Sequence, residues 1–280
     1  MIVFKKAADI GHFIHQEGKK GKKTGFVPTM GALHQGHISL IETAKAAGNL
    51  VICSIFVNPT QFNDAKDFQN YPTTIEQDID KLEKAGCHAL FLPSVTEMYP
   101  GGLENKTPYD LGYLETVLEG KYRPGHFQGV CQVVHRLLTV IPADLLYLGQ
   151  KDFQQCMVIK KMTELTGLKT KIIICPTLRE ADGLAMSSRN MRLSELNRAK
   201  AVEISKTLLY IKASVKPGNL AVLKSNAVKK LADAGFKTDY VEIADAETLE
   251  LTDSWNGKTK LVALCAAFIG EVRLIDNMLL

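Results

Sequence analysis

The chain has 280 residues, and its 34 Lys and Arg against 30 Asp and Glu leave a net charge of +4 with His neutral. Hydrophobic residues make up 46%, enough apolar material for a packed core, which excludes a mainly disordered chain. So small a charge, with no dense basic patch outside residues 18–23, argues against a nucleic-acid surface.

At about 150 residues per domain, the length predicts one large or two modest domains. The chain opens MIVFKKAADIGHF, and four apolar residues before a Lys pair are too few for a signal-peptide core. The longest late apolar run, residues 261–269, is far short of the roughly 20 residues a membrane helix needs. A cytoplasmic chain with no membrane partner is expected. The run Gly18-Lys-Lys-Gly-Lys-Lys-Thr24 reads as a solvated loop, its glycines too close for a phosphate loop.

Short β-branched runs follow at 25–28, 50–57, 89–92, 145–147 and 171–175. Helical periodicities lie between them at 37–47, 74–85, 129–140 and 152–165. Strands apolar on both sides, alternating with helices, predict an α/β domain with a Rossmann-like parallel sheet. Beyond residue 175 the pattern changes. Residues 184–193 read as a loop bearing chemistry, and Ser194 caps a helix over 194–213. Lys216-Pro217-Gly218 is a turn before a helix over 218–234. Strands are predicted at 238–243, 260–268 and 271–275. Helices first and strands later predict a smaller α+β C-terminal domain with a short antiparallel sheet. The boundary falls near Pro176, giving domains 1–175 and 176–280.

The six cysteines, at 53, 87, 131, 156, 175 and 265, form no CxxC and sit in apolar runs such as KIIIC. They read as buried thiols and not as a disulfide or zinc framework.

The stretch GFVPTMGALHQGHISLI, residues 25–41, is a strand, a glycine loop and a helix start. Such a unit aims backbone N–H groups and a helix dipole at one spot, which suits a phosphate. It is not a Walker A loop, because His37-Ile38 stands where Lys-Ser/Thr is required. No Cys or carboxylate lies near His34 and His37, which disfavours zinc. Two imidazoles flanking a glycine can donate to phosphate oxygens as negative charge develops. The second constellation is AMSSRN, residues 185–190, whose hydroxyls and Arg are donors suited to a triphosphate.

H-x-G-H followed by Ser-Ser-Arg resembles the HIGH and KMSKS pair of the nucleotidylyltransferase superfamily. Further stretches narrow it: PTMGALHQGH (28–37), FVNPTQF (56–62), YPTTIEQD (71–78), RPGHFQGV (123–130), GQKDFQQ (149–155) and PTLREADGLAMSSRN (176–190). In this order they resemble the pantoate–β-alanine ligase family from about residue 24 to 200, and more weakly through YVEIADAETLE (240–250).

The resemblance implies an AMP-forming ligase using ATP and Mg²⁺. Pantoate would attack the α-phosphorus of ATP, and β-alanine would then displace AMP from pantoyl adenylate. It implies that His34 and His37 contact the phosphates and the reacting centre. Lys151 would bind the phosphates and Asp152 the ribose, with Ser187, Ser188 and Arg189 on the β and γ groups. Gly149, Leu178 and Met186 would line the nucleotide pocket, with Pro28, Thr29 and Met30 beneath it. Gln61 and Gln155 would hydrogen-bond pantoate, while Met30, Phe56, Val133 and Val134 would cover its gem-dimethyl group. Arg123 is a candidate for a phosphate or intermediate contact, or with His126 for a loop-stabilising role. Asp78 is the candidate Mg²⁺ ligand. The C-terminal domain would be a lid, and the chain a homodimer. Three positions depart from the common pattern. Thr73 replaces Arg, Gln77 replaces a second acid, and Gln150 stands where Glu or Pro is familiar.

Three rivals stay open from the residues alone. A sister nucleotidylyltransferase would need a second phosphate site. A synthetase-like RNA binder would need a basic surface. A non-catalytic nucleotide sensor would have no use for both His, the Lys-Asp pair and Ser-Ser-Arg together.

Overall fold

The computed structural model describes residues 1–61, 69, 71–102 and 108–280. Phe62, the last residue of FVNPTQF, lies outside the described residues. The chain divides into two compact units, Met1–Gly149 with Gln154–Pro176, and Gln150–Phe153 with Thr177–Leu280.

The first unit is built on six strands: β1 (Ile2–Phe4), β2 (Thr24–Thr29), β3 (Leu50–Ile55), β4 (Ala89–Phe91), β5 (Leu145–Gly149) and β6 (Lys171–Cys175). They lie in the order β1-β4-β3-β2-β5-β6, and each neighbouring pair is parallel. The longer helices between them are α1 (Ala7–Lys19), α2 (Gln35–Ala46), α3 (Ile75–Ala85), α4 (His126–Val140) and α5 (Phe153–Thr166). Alternate strand residues enter two separate cores. Phe26, Ile52, Phe91 and Leu146 pack with α1, α4 and α5 on one face. Val27, Val51, Cys53 and Leu90 pack with α2 and α3 on the other. Fully burying such a side chain contributes about 1.5–3 kcal/mol, so burial on both faces adds to the backbone pairing that holds the sheet.

The strand order matters for function. From β2 the chain first winds outward through β3 and β4, and later crosses to β5 and β6. The order therefore reverses between β2 and β5, and a crevice opens outside the carboxyl ends of strands at such a point. The loop after β2 carries His34 and His37, and Gly149 ends β5.

β1 and α1 are additions to the expected elements. β1 has only three residues, two of them exposed, and α1 buries just Ile10, Ile14 and Glu17. Neither offers a long periodic run. The expected solvated loop at 18–24 is partly structured: Gly18 and Lys19 end α1, and Thr24 begins β2. Lys20 and Lys22 both pair with Glu17, at 2.6 and 2.7 Å.

In the second unit, α6 (Glu195–Ala201), α7 (Glu203–Ser214) and α8 (Ala221–Asp233) accompany an antiparallel sheet. Its strands are β7 (Lys237–Asp245), β8 (Leu261–Ile269) and β9 (Val272–Leu279), in the order β9-β8-β7. The single helix expected over 194–213 is two, broken at Val202. Gly218, expected in a turn, pairs with Trp255 in a two-residue ribbon. Ile204, Leu208 and Ile211 of α7 pack with Val241, Ile243, Ala263 and Cys265. All six cysteines are buried and free. No helix among the described residues is long and apolar enough to cross a membrane.

Candidate active site

The loop after β2 is built to deliver two histidines. Gly31 and Ala32 both take positive φ, +85° and +49°. For a non-glycine residue this costs about 1–2 kcal/mol. The Asp78 carboxylate offsets it by accepting N–H groups from Ala32 at 2.9 Å and Leu33 at 2.8 Å, with the Thr74 hydroxyl at 3.1 Å. Bonds to a charged acceptor contribute roughly 1.5–3 kcal/mol each, so the clamp outweighs the strain. A side chain at Gly31 would put its Cβ 3.2 Å from Asp78 Oδ2. Lys81, one turn along α3, donates to the Leu33 carbonyl at 2.6 Å.

Asp78, the residue expected to take Mg²⁺, is thus committed to the histidine loop. The residue is fully buried, and both carboxylate oxygens are engaged by backbone N–H groups. Among the described residues no cluster of three His, Cys, Asp or Glu side chains is placed to hold a metal.

His34 caps α2, which starts at Gln35 and so earlier than the expected His37. Its Nδ1 accepts the Gly36 N–H at 3.1 Å, and His37 Nδ1 accepts the His34 N–H at 3.3 Å. The cap is reciprocal. A neutral ring whose Nδ1 accepts must carry its proton on Nε2. Both histidines are thereby fixed as Nε2–H donors, with ring centroids 4.0 Å apart.

The expected acid-binding residues lie in the same unit. Gln61 Nε2 donates to Met30 Sδ at 2.7 Å. Phe56, Val133 and Val134 are buried in one cluster. The turn Pro59–Gln61 is seated on α4 so closely that a Cβ at Gly129 would fall 2.3 Å from the Thr60 carbonyl oxygen. His126 Nδ1 donates to the Gln61 carbonyl at 2.8 Å, and Arg123 donates to His126 Nε2 at 3.1 Å. Arg123 also lies 3.8 Å from Glu119. Its contacts therefore support the turn that carries Gln61. Of the two adjacent glutamines, Gln154 is buried and bonded to Leu114, Val117 and Glu119 backbone. Gln155 is half-buried, with its side chain not committed in this way.

The expected triphosphate donors lie in the second unit. Lys151 sits on a single turn, Gln150–Asp152, with its Nζ 3.7 Å from Asp152. Asn277 holds that turn, donating to the Gln150 and Lys151 carbonyls at 2.8 Å each. Residues 178–186 form a hairpin, with Arg179 bridged to Ala185 and Met186 N–H on the Leu178 carbonyl. The hairpin leads into a 3-10 turn, Ser188–Arg192, capped by Ser187 Oγ on the Arg189 N–H at 3.3 Å. The expected loop at 184–193 is thus mostly ordered by backbone pairing. Arg179 makes two bonds to Asp276, at 2.6 and 3.0 Å. Burial pushes the Asp276 carboxyl up, and the Arg179 guanidinium pulls it back.

Asp276 and Asn277 were missed by sequence reasoning. The available signal was a polar pair inside the apolar run RLIDNML, at residues only 4% and 2% exposed.

Comparison with known proteins bears on the chain as a whole. The family model described as Pantoate-beta-alanine ligase matches residues 2–279. A pantothenate synthetase of Porphyromonas gingivalis is 44% identical over 280 residues, covering 99% of each chain. The crystal structure of pantothenate synthetase from Thermus thermophilus is similar with a TM-score of 0.91 at 37% identity, covering 99% of each chain. The pantoate-beta-alanine ligase of Francisella tularensis, complexed with beta-gamma ATP and beta-alanine, has a TM-score of 0.80 at 40% identity. That match covers 100% of this chain and 97% of the other.

Proposed function

The chain belongs to the pantoate–β-alanine ligase family and is an enzyme of ATP-dependent pantoate–β-alanine condensation; we propose the following division of labour among its residues. A pantoate carboxylate oxygen attacks the α-phosphorus of ATP. The bond to the bridging oxygen of the β-phosphate breaks, giving pantoyl adenylate and pyrophosphate. The amine of β-alanine then attacks the acyl carbon; a C–N bond forms, the acyl C–O bond to the phosphate breaks, AMP leaves with that oxygen and its electron pair, and the nitrogen gives up a proton.

The observation that carries this reading is the reciprocal cap at His34 and His37. It presents two preset Nε2–H donors at a helix N-terminus beside the strand-order reversal, where a developing phosphate charge is best stabilised. Gln61, Gln155, Met30, Phe56, Val133 and Val134 receive pantoate, whose hydroxyls suit an amide and whose methyls suit an apolar wall. Pro28, Thr29, Gly149, Leu178 and Met186 shape the nucleotide pocket, and Asp152 takes the ribose. Lys151, Ser187, Ser188 and Arg189 hold the β- and γ-phosphates. Magnesium enters with ATP as part of the substrate.

Residues 1–175 serve as the ATP- and pantoate-binding domain and 176–280 as its lid. Exclusion of water from the adenylate is the use of such a lid, because an acyl phosphate hydrolyses. A cytoplasmic homodimer completes the reading, supported by the family resemblance. The test is release of AMP and pyrophosphate on mixing the chain with ATP, Mg²⁺, pantoate and β-alanine. AMP appearing only when both acid and amine are present supports the reading. ADP in place of AMP would overturn it.

A further inference from the structure

We infer that Asn277 is a positioning residue for Lys151, and that with Asp276 it ties the two triphosphate-binding segments of the second unit to one strand. The inference rests on the assignment of Lys151 to the triphosphate. Asn277 uses its whole carboxamide. Both N–H groups donate to successive carbonyls, Gln150 and Lys151, at 2.8 Å, and its oxygen accepts from Gln150 Nε2 at 3.2 Å. One side chain therefore fixes the two peptides that flank Lys151. The neighbouring Asp276 takes Arg179 in two bonds, and Arg179 also donates to the Gly183 and Asn277 carbonyls at 3.1 and 3.3 Å. Arg179 lies in the 178–186 hairpin that leads into Ser187. Both phosphate-binding segments thus answer to two adjacent residues of β9.

The chemistry at 277 is demanding. Asp has the same shape as Asn but no N–H groups. It would face two carbonyl oxygens with negative charge, so the turn would be repelled and no longer pinned. Gln150 matches this arrangement, because its amide can donate to Asn277 where a Glu could not. A buried clip that served stability alone would affect every step of the reaction. One that positions Lys151 affects most the step in which a triphosphate is bound.

Asn277→Asp and Gln150→Ala are compared with the parent chain in two half-reactions. The first is pantoate-dependent exchange of pyrophosphate into ATP. The second is condensation of β-alanine with pre-formed pantoyl adenylate, which carries no β- or γ-phosphate. For Asn277→Asp the KM for ATP in exchange is expected to rise at least about tenfold, from loss of two bonds and repulsion of the two carbonyls. For Gln150→Ala, which loses one, about threefold is expected. The KM for pantoate stays unchanged, and the second half-reaction, whose adenylate keeps the ribose assigned to Asp152 on the same turn, falls by clearly less than the exchange. If Asn277→Asp does not fold, Gln150→Ala decides alone. An unchanged KM for ATP, or an equal loss in both half-reactions, overturns the inference. A parent chain with no exchange activity would instead overturn the adenylate mechanism on which it rests.

Discussion

Asp78 Oδ2 accepts the backbone N–H of Ala32 at 2.9 Å, and Ala32 is a non-glycine residue held at φ +49°. A carboxylate 46 residues away in the chain therefore stabilises a backbone shape that alanine alone disfavours. The shape lies two residues before the His34 cap. The acidic residue clamps the loop that carries His34 and His37.

Asp78→Asn tests the clamp. The amide nitrogen of Asn would meet a backbone N–H, since only one of its two terminal atoms accepts. Each N–H left unpaired costs about 1–3 kcal/mol. Denaturant titration is expected to show a stability loss of that size, and adenylate formation to fall roughly 10²-fold as the His34 cap loosens. Unchanged stability and exchange rate would leave the clamp without consequence.

Gly129→Ala probes the seating of Gln61. The new Cβ would fall 2.3 Å from the Thr60 carbonyl oxygen and 2.9 Å from Gln61 Cα. Backbone on both sides cannot yield cheaply, so the turn Pro59–Gln61 must shift, at about 1–3 kcal/mol. The KM for pantoate is expected to rise about tenfold or more, with the KM for ATP little changed. Steady-state kinetics in each substrate check this, and equal changes in both KM values would place Gln61 elsewhere.

The sheet was legible because β2, β3 and β5 are apolar on both faces, a pattern that follows from burial between helices. The strand–loop–helix unit at His34 was legible for the same local reason. Asp276 and Asn277 were not, because their partners Arg179, Gln150 and Lys151 lie about a hundred residues away or more, and nothing local marks them as paired. The break at Val202 between α6 and α7 carries neither Gly nor Pro, so periodicity runs straight through it. At Asp78 sequence shows the charge but not the amides that contact it.

Burial governs the cysteines as well. It pushes the Cys87 thiol up to about 11 and the Cys131 thiol up to about 12, and raises Cys53. The thiolate is the reactive form, so these groups are both hidden and protonated at neutral pH. Iodoacetamide at pH 8 is expected to leave the native chain unmodified over hours and to label all six thiols in denaturant. Mass spectrometry reads the outcome, and rapid native labelling of Cys53 would contradict its placement.

His34 combines two duties that a pair of substitutions separates. Its Nδ1 caps α2 by accepting the Gly36 N–H, and its Nε2–H is the proposed phosphate donor. Asn can supply an acceptor oxygen to the same N–H but carries no donor at the Nε2 position. His34→Asn is therefore expected to keep the parent stability, while His34→Ala loses about 1 kcal/mol of capping. Both variants are expected to lose adenylate formation by about 10²-fold or more, since one preorganised donor to a developing oxyanion contributes that much. Thermal melting and pyrophosphate exchange measured on the same samples distinguish the duties. If His34→Asn retained near-full exchange, the ring would be a cap only, and the donor to the α-phosphate would have to be sought at His37 alone.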